Sequence, residues 1–236
     1  MTEELFREDA FARQCDANVV GLAGDGVRLD RTVFYCTGGG QPGDRGRLVL
    51  EDGSTLEVVD TLKAGEGIVH RLAEGSALPS VGARLRAEID WQRRHRLMRM
   101  HSAMHLLCRA VDCPVSGGQV GEARSRLDFD AGDSKLDKEA IAAKLAAWIA
   151  EDRPIRHFWI DAAELEARPE LVRTMSVRPP TGSGRVRLVE IEGLDLQACG
   201  GTHVRSTGEI GAIEVGKIEN KGRQNRRVNL NLVLDA

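Results

Sequence analysis

Two short segments of this 236-residue chain carry side chains of the kind that bind metal ions. HSAMH places His101 and His105 four residues apart, which puts two imidazoles on one face of a helix, about 6 Å apart along its axis. CGGTH places Cys199 and His203 around two glycines, whose backbone freedom lets both side chains face one point. Each pair alone is most often accidental, but a thiolate with imidazoles is a ligand set typical of zinc. The four residues together predict one zinc site.

Two competing interpretations of the HSAMH helix are excluded by its sequence. Ser102 stands where the HExxH motif of metalloproteases has its glutamate. Cys108 lies seven residues after His101, about 10.5 Å along the helix axis, which is too far for this thiol and both histidines to converge on one ion. We therefore expect Cys108 in the core. The chain has five cysteines, an odd number, which indicates free thiols and a metal ligand rather than disulfides.

A second candidate site is the glycine-rich segment FYCTGGGQPGDRG. Its three glycines at 38–40, followed by Gln41 and Pro42, cannot lie inside a strand. The plain structural interpretation is a hairpin turn. The functional interpretation is a loop whose backbone N–H groups and Gln41 amide approach a ligand closely. GGQ is also the tripeptide of peptide-chain release factors, but nothing around it here matches their domain arrangement.

The charge balance says little by itself. The chain has 33 basic and 36 acidic residues, a net charge of −3, so a polyanion must be met by local patches. Two basic segments could form such patches: RRHRLMR at 93–99 and KIENKGRQNRR at 217–227. A solvated helix face and a charged hairpin are their ordinary interpretations.

Composition indicates an ordinary soluble globular protein, since 42% of residues are hydrophobic and 29% are charged. No apolar run approaches the roughly 20 residues of a membrane-spanning helix. The N-terminus, MTEELFREDAFARQCD, is acidic and unlike a signal or transit peptide. We expect a cytoplasmic enzyme or binding protein without a membrane partner.

Hydrophobic periodicity separates two regions. Short alternating segments punctuated by Gly, Asp or Asn predict a small barrel or sandwich in the first half. Helical periodicity begins after Asp90, which can act as an N-cap, and a second helix is predicted over LDKEAIAAKLAAWIAEDR. Strands follow, with a short helix near AAELEARPEL, an order that favours an α+β fold. We place the domain boundary at residue 88, which gives an N-terminal β-domain (1–88) and a C-terminal α+β domain (89–236).

Three segments in combination identify a family. RTVFYCTGGGQPGDRG, HSAMH and CGGTHVRSTGEIG together closely resemble the editing domain of alanyl-tRNA synthetase. The tail KIENKGRQNRRV looks like the end of its free-standing relatives, the AlaX trans-editing proteins. Editing domains of threonyl-tRNA synthetase share HxxxH and a later Cys–His pair but lack the CGGTH and GGGQ forms. The resemblance covers nearly the whole chain without an aminoacylation domain, so we expect a free-standing editing protein.

The resemblance implies a small N-terminal β-barrel followed by a two-layer α+β editing domain that contains zinc. It implies hydrolysis of tRNA(Ala) mischarged with serine, with glycine as a second substrate, and no obligate protein partner. Carried over by position, the metal ligands are His101, His105, Cys199 and His203. The candidate catalytic residues are Thr32 and Gln41, although Thr32 also fits an ordinary β-branched strand residue. Cys36 and Thr37 depart from the family pattern and leave the amino-acid preference of the pocket open.

The expected reaction requires both tRNA binding and metal chemistry. The candidate tRNA contacts are Lys217, Lys221, Arg223, Arg226 and Arg227. Zinc lowers the pKa of a bound water toward about 7 and polarises a carbonyl, provided that one of four ligands is loose or the ion becomes five-coordinate. No Asp or Glu lies within either metal motif to act as general base. The alternative is a zinc-stabilised tRNA-binding module without catalysis.

Overall fold

The computed structural model describes residues 2–65, 67–172 and 184–233. The chain divides into two compact units, Met1–His95 and Arg96–Ala236. Among the described residues, no helix is both long enough and apolar enough to cross a membrane. The fold is of mixed α+β class, as the sequence predicts.

The first unit is built around a closed barrel. Its described residues form the strands β1 (Glu3–Glu4), β2 (Gln14–Ala23), β3 (Gly26–Leu29), β4 (Arg31–Thr32), β5 (Gly46–Leu50), β6 (Thr55–Ala64), β7 (Gly67–Leu72) and β8 (Arg84–Ile89). Six strands close in the order β2-β3-β7-β6-β5-β8. Strands β1 and β4 pair in parallel outside the barrel. Of the two architectures predicted, the barrel is confirmed and the sandwich is not found.

Alternating hydrophobicity explains why these segments form a barrel. In β8, Leu85, Ala87 and Ile89 are buried, while Arg84 and Arg86, which alternate with them, are exposed. The same period in the other strands fills the interior with aliphatic side chains, among them Val19, Val27, Leu29, Leu48, Val58 and Leu72. Closing the sheet also leaves no unpaired edge among these six strands.

Two arginines at the start of the first long helix are buried in the first unit. Arg94 is 0% exposed, and its Nε donates to both carboxylate oxygens of Asp44 at 3.0 and 2.9 Å. Arg94 also donates to the Val33 carbonyl at 2.7 Å. Arg93 donates to the Gly43 carbonyl at 2.8 Å. The prediction of a polyanion-binding patch or a solvated helix face is therefore wrong at these two residues.

The second unit combines helices with two antiparallel sheets. Its helices are α1 (Trp91–Val111), which begins in the last residues of the first unit, α2 (Lys138–Ala150) and α3 (Ala162–Ala167). Its described strands are β9 (Val115–Gln119), β10 (Arg124–Asp130), β11 (Ile155–Asp161), β12 (Arg185–Ile191), β13 (Asp195–Ala198), β14 (Ile213–Lys221) and β15 (Asn225–Leu232). One sheet has the order β14-β15-β10-β9, the other the order β11-β12-β13. Helix α2 contacts β14.

Aspartate side chains fix where both long helices begin. The Arg93 N–H donates to the Asp90 carboxylate at 3.0 Å, and the Ala140 N–H donates to the Asp137 carboxylate at 3.0 Å. Each carboxylate satisfies an N–H that has no carbonyl available within its helix. The predicted N-cap at Asp90 is confirmed.

Strands β9 and β10 lie between α1 and α2 and were not predicted from the sequence. Strand β10 carries a clear signal, because Ser125, Leu127 and Phe129 are buried and alternate with charged residues. Strand β9 carries little signal, because two of its five residues, Gly117 and Gly118, are glycines that weaken strand preference. Its position depends on pairing with β10, which is a tertiary contact.

Candidate metal centre

Helix α1 and the turn after β13 bring the four predicted ligands together. His101 and His105 project from α1, while Cys199 and His203 follow β13. The Cys199 Sγ lies 3.6 Å from the Nε2 of His101 and 3.3 Å from the Nε2 of His203. One ligand atom from each of the four residues lies within 4.8 Å of the others. All three imidazoles are buried.

These residues fit a zinc ion by donor type and by spacing. Zinc–sulfur and zinc–nitrogen bonds of about 2.3 and 2.05 Å at a tetrahedral angle separate the two donor atoms by about 3.6 Å. The two sulfur–nitrogen distances of 3.6 and 3.3 Å are close to this value. Soft sulfur with imidazole nitrogen selects zinc over the hard, oxygen-preferring cations.

Electrostatics within the group favours the ligand form of the thiol. Burial raises the pKa of Cys199, but the adjacent imidazoles of His101 and His203 outweigh burial and bring it well below the ordinary value of a thiol. The thiolate is the form that binds a metal. Burial lowers the pKa of His203, and the neighbouring His101 lowers it further, so the His203 ring is neutral. A neutral imidazole is the form that a metal requires.

His105 is influenced by a carboxylate that the sequence analysis did not identify. Burial lowers the pKa of His105, but Asp195 and Cys199 outweigh burial and raise it to about 9, so the metal-free ring is protonated and must release this proton to bind a metal. The Asp195 Oδ2 lies 3.3 Å from the Nδ1 of His105. Asp195 lies outside both metal motifs, yet Asp195, Gln197 and Cys199 alternate in DLQAC, and this period-two spacing could have revealed a shared face.

Two further side chains hold the CGGTH turn. The Ser102 Oγ lies 3.1 Å from the Nδ1 of His203 and accepts the Val204 N–H at 3.3 Å. The buried Arg187 guanidinium donates to the carbonyls of Cys199 and Gly201 at 3.1 and 3.0 Å. In the sequence, Ser102 was informative only as the residue replacing a glutamate, because its contacts are long-range. Cys108 is buried and does not belong to the four-residue group.

Thr32 lies in the first unit, in β4, and is fully buried. Its Oγ1 lies 2.8 Å from the Nε2 of His70 and accepts the Phe34 N–H at 3.0 Å. The other ring nitrogen of His70, Nδ1, is 3.3 Å from the Val27 carbonyl. A neutral ring that donates from Nδ1 to this carbonyl accepts the Thr32 hydroxyl at Nε2. Thr32 therefore has a buried polar partner, His70 of the barrel strand β7, within an otherwise aliphatic core.

The glycine-rich segment forms a tight turn. The N–H groups of Gly38 and Gln41 donate to each other's carbonyls at 3.1 and 2.9 Å. Gly39 and Gly40 between them have φ angles of 55° and 81°. Positive φ at both central positions is the geometry of a type I′ turn, which explains the glycines. Gln41 is 0% exposed, so its side chain is in the protein interior.

The basic segment at 217–227 is a hairpin of β14 and β15. Lys217, Lys221 and Arg223 are exposed. Lys221 lies 3.0 Å from Glu219. Arg227 is half-buried and donates twice to Asp128 of β10, at 2.6 and 2.8 Å. The positive charge of the hairpin is thus partly neutralised, at Arg227 more than at Arg223.

The chain matches two family models. Residues 186–229 match the second additional domain of threonyl and alanyl tRNA synthetases, and residues 4–93 match class II (A) tRNA synthetases. The chain is 39% identical to an alanyl-tRNA editing protein AlaX-M of Methanosarcina acetivorans, over 99% of this chain and 100% of the relative. An alanyl-tRNA editing protein AlaX-M of Saccharolobus solfataricus is 34% identical, over 97% of this chain and 98% of the relative. An alanine–tRNA ligase of Saccharolobus islandicus is 35% identical over 92% of this chain but only 25% of the ligase.

Proposed function

Because the chain belongs to the AlaX-M family of alanyl-tRNA editing proteins, we propose that it hydrolyses the ester bond between tRNA(Ala) and a wrongly attached amino acid. Serine is the main proposed substrate and glycine the second, and the cytoplasm is the proposed place of action. The observation that carries the proposal is the convergence of the four ligand atoms within 4.8 Å. The alternative is a zinc-stabilised tRNA-binding module without catalysis.

Zinc is the proposed cofactor, held by His101, His105, Cys199 and His203. When bound, zinc supplies Lewis-acid chemistry at the ester carbonyl and makes water more acidic. The chain's own contribution is to deliver a thiolate at Cys199 and a neutral ring at His203. Burial of the imidazoles keeps this site in a low-dielectric surrounding, which strengthens electrostatic interactions within it. A two-layer arrangement, with α2 packed on the sheet at β14, is our proposal for the domain that carries the site.

Thr32 and Gln41 are proposed to distinguish serine from alanine. Serine differs from alanine by one hydroxyl, and an apolar pocket discriminates against it by only about 10²-fold. Thr32 donates its own proton to His70, so its oxygen offers an acceptor to a substrate hydroxyl. The Phe34 N–H occupies one lone pair of this oxygen, and alanine, which has no hydroxyl, leaves the second lone pair without a donor. Gln41, buried beside the glycine turn, is proposed to complete the pocket.

The proposed tRNA contacts are the side chains of the hairpin: Lys217, Lys221, Arg223, Arg226 and Arg227. Exposure of Lys217, Lys221 and Arg223 supports their contact with phosphates. Phosphate contacts supply affinity and position but carry no base sequence. The amino acid, rather than the tRNA sequence, would then be read in the pocket.

Deacylation of three substrates tests the function. We expect wild type to hydrolyse Ser-tRNA(Ala) and Gly-tRNA(Ala) faster than Ala-tRNA(Ala), and His101→Ala to lose this activity. Thr32→Val keeps the shape of the side chain and removes the hydroxyl, so it should reduce the Ser-to-Ala rate ratio about tenfold, equivalent to about 1.4 kcal/mol for one hydrogen bond.

The matched control is Thr61→Val, which removes another buried hydroxyl of the same unit, one that donates to the Asp44 carbonyl at 2.9 Å. We expect Thr61→Val to keep the wild-type ratio. An unchanged ratio in Thr32→Val would remove Thr32 from the pocket. Wild-type protein that binds zinc and tRNA but hydrolyses none of the substrates would establish the non-catalytic alternative.

A further inference from the structure

We propose that Ser102 and Asp195 are positioning residues, each of which holds the Nδ1 side of one imidazole so that its Nε2 faces the metal. Ser102 positions His203, and Asp195 positions His105. The inference rests on the proposed metal centre but assigns roles to two residues that bind no metal themselves.

The contacts of His203 separate its two ring nitrogens. Nε2 lies 3.3 Å from the Cys199 Sγ, inside the ligand group. Nδ1 lies 3.1 Å from the Ser102 Oγ, on the opposite side of the ring. The Ser102 oxygen also accepts the Val204 N–H, so it links α1 to the backbone next to His203. A ring held in this way cannot rotate about its χ2 bond without breaking its hydrogen bond with Ser102.

His105 has a carboxylate beside the corresponding ring nitrogen, in an ionic contact rather than an aligned hydrogen bond. The Asp195 Oδ2 lies 3.3 Å from Nδ1, and Asp195 is itself fixed by the Gln197 Nε2, which donates to the same oxygen at 2.7 Å. Both Asp195 and Gln197 are 5% exposed. Because Nδ1 is the nitrogen that lies beside the carboxylate, Nε2 is the nitrogen left for the ligand group.

Burial of Ser102 and Asp195 costs free energy, which argues for a specific role of both side chains. A carboxylate or hydroxyl removed from water destabilises the fold unless it makes compensating polar contacts. Here both groups, Ser102 at 0% and Asp195 at 5% exposure, are placed at the outer nitrogen of a proposed ligand. An imidazole that binds a metal usually donates its other N–H to such an acceptor, and loss of the acceptor weakens metal affinity about 10- to 100-fold.

Metal affinity and ligand geometry test the proposal without reference to activity. Zinc is titrated into metal-free wild type, Ser102→Ala and Asp195→Ala against a chromophoric chelator, and the visible absorption spectrum of each protein is recorded with Co²⁺. We expect zinc affinity to be 10- to 100-fold weaker in each variant, which corresponds to a loss of ~1.4 to 2.7 kcal/mol of binding free energy. We also expect the Co²⁺ absorption bands to shift. The control is Ser125→Ala, a buried serine of β10 whose hydroxyl bonds to the Gly121 backbone, away from the ligand group, at 3.0 and 3.3 Å.

Each outcome decides the proposal. Zinc affinities within about twofold of wild type, with unchanged Co²⁺ spectra, would overturn it, and so would an equal loss in Ser125→Ala. If Asp195→Ala does not fold, as judged by circular dichroism of the metal-free chain, Asp195→Asn replaces it, because the amide keeps the shape and an acceptor for Gln197, and wild-type affinity in Asp195→Asn would overturn the positioning role of Asp195. If Ser102→Ala does not fold, Ser102→Gly replaces it, and wild-type affinity in Ser102→Gly would overturn the positioning role of Ser102.

The proposed function can fail separately. If wild type binds zinc no more tightly than His101→Ala, the metal centre is wrong and the positioning roles fall with it. If zinc binding shows the expected losses but Ser-tRNA(Ala) is not hydrolysed, the positioning roles stand and the deacylase proposal fails.

Discussion

A buried histidine in the barrel makes stability depend on pH. His70 is 0% exposed, and burial lowers its pKa from the usual 6.5 to about 4, although the Val27 carbonyl raises it slightly. Between these values the unfolded chain binds a proton that the folded chain does not. The free energy of unfolding therefore rises with pH across this window. As pH falls from 6.5 to 4, the contribution of His70, up to about 3 kcal/mol, is lost.

Urea unfolding of wild type and His70→Gln from pH 4.5 to 7.5 measures this contribution. We expect wild type to lose more stability on acidification than the variant. Subtracting the two curves removes the pH dependence that both proteins share. Thr61→Val, which changes another buried side chain of the barrel but no titratable group, is the control and should keep the wild-type dependence on pH. Parallel curves for His70→Gln and wild type would contradict the lowered pKa.

Local spacing determines which residues of the candidate site sequence alone could predict. His101 and His105 are one helical turn apart, and Cys199 and His203 flank one turn, so each pair is visible in a short window. The prediction that the two pairs meet in one site rested on ligand chemistry and on the family resemblance. The contact of Ser102 with His203 joins residues 101 positions apart in the sequence, and that of Asp195 with His105 joins residues 90 positions apart. Serine and aspartate are too common for such contacts to be predicted without the fold.

At the scale of elements, the Arg94–Asp44 ion pair links the start of α1 to the segment after the glycine turn. Asp44 is 1% exposed, and its carboxylate also accepts the Tyr35 N–H at 2.7 Å. Asp44→Ala removes the carboxylate and leaves a buried guanidinium without its charge partner. Breaking such a pair from one side destabilises a protein by about 3–5 kcal/mol. We expect this decrease in the urea-unfolding free energy of Asp44→Ala.

Asp25→Ala provides the matched comparison for the buried pair. Asp25 also pairs with an arginine of the first unit, Arg71 at 3.3 Å, but both side chains are largely exposed, at 61% and 44%. Exposed pairs contribute about 0–1 kcal/mol. Similar destabilisation in Asp25→Ala and Asp44→Ala would show that burial of the Arg94 pair has no energetic consequence.

The elements differ in how far their own sequence specifies them. Helix α1 has helical periodicity and an aspartate N-cap, so its existence and start were predictable. The turn at Gly39 and Gly40 was predictable because few residues other than glycine adopt positive φ twice in succession. Strand β9 was not, since VSGGQ has little strand preference and becomes a strand through its pairing with β10. The burial of Arg94 was not predictable from the sequence. An arginine is fully buried only when it is paired, and its partner, Asp44, is 50 residues away in the sequence.

At the scale of the whole molecule, the charge distribution must account for tRNA binding. A chain with a net charge of −3 attracts a polyanion only through a local excess of positive charge. The hairpin of β14 and β15 provides one, but Arg227 is already neutralised by Asp128 and Lys221 lies near Glu219. Arg223 in the exposed turn is thus the side chain we expect to contribute most.

Replacement of Lys221 and Arg223 by alanine should therefore weaken tRNA binding without changing the Ser-to-Ala rate ratio. Each phosphate that the protein no longer neutralises reduces the slope of log affinity against log salt by about 0.7 to 0.9, so the double variant should flatten it by up to about two. The control, Arg47→Ala with Arg86→Ala, makes the same change in net charge at exposed barrel arginines that contact Glu88. Filter binding between about 50 and 200 mM salt measures both slopes. If the two double variants weaken binding equally, total charge rather than the hairpin governs affinity, and if the hairpin variant matches wild type in affinity and slope, the hairpin does not contact tRNA.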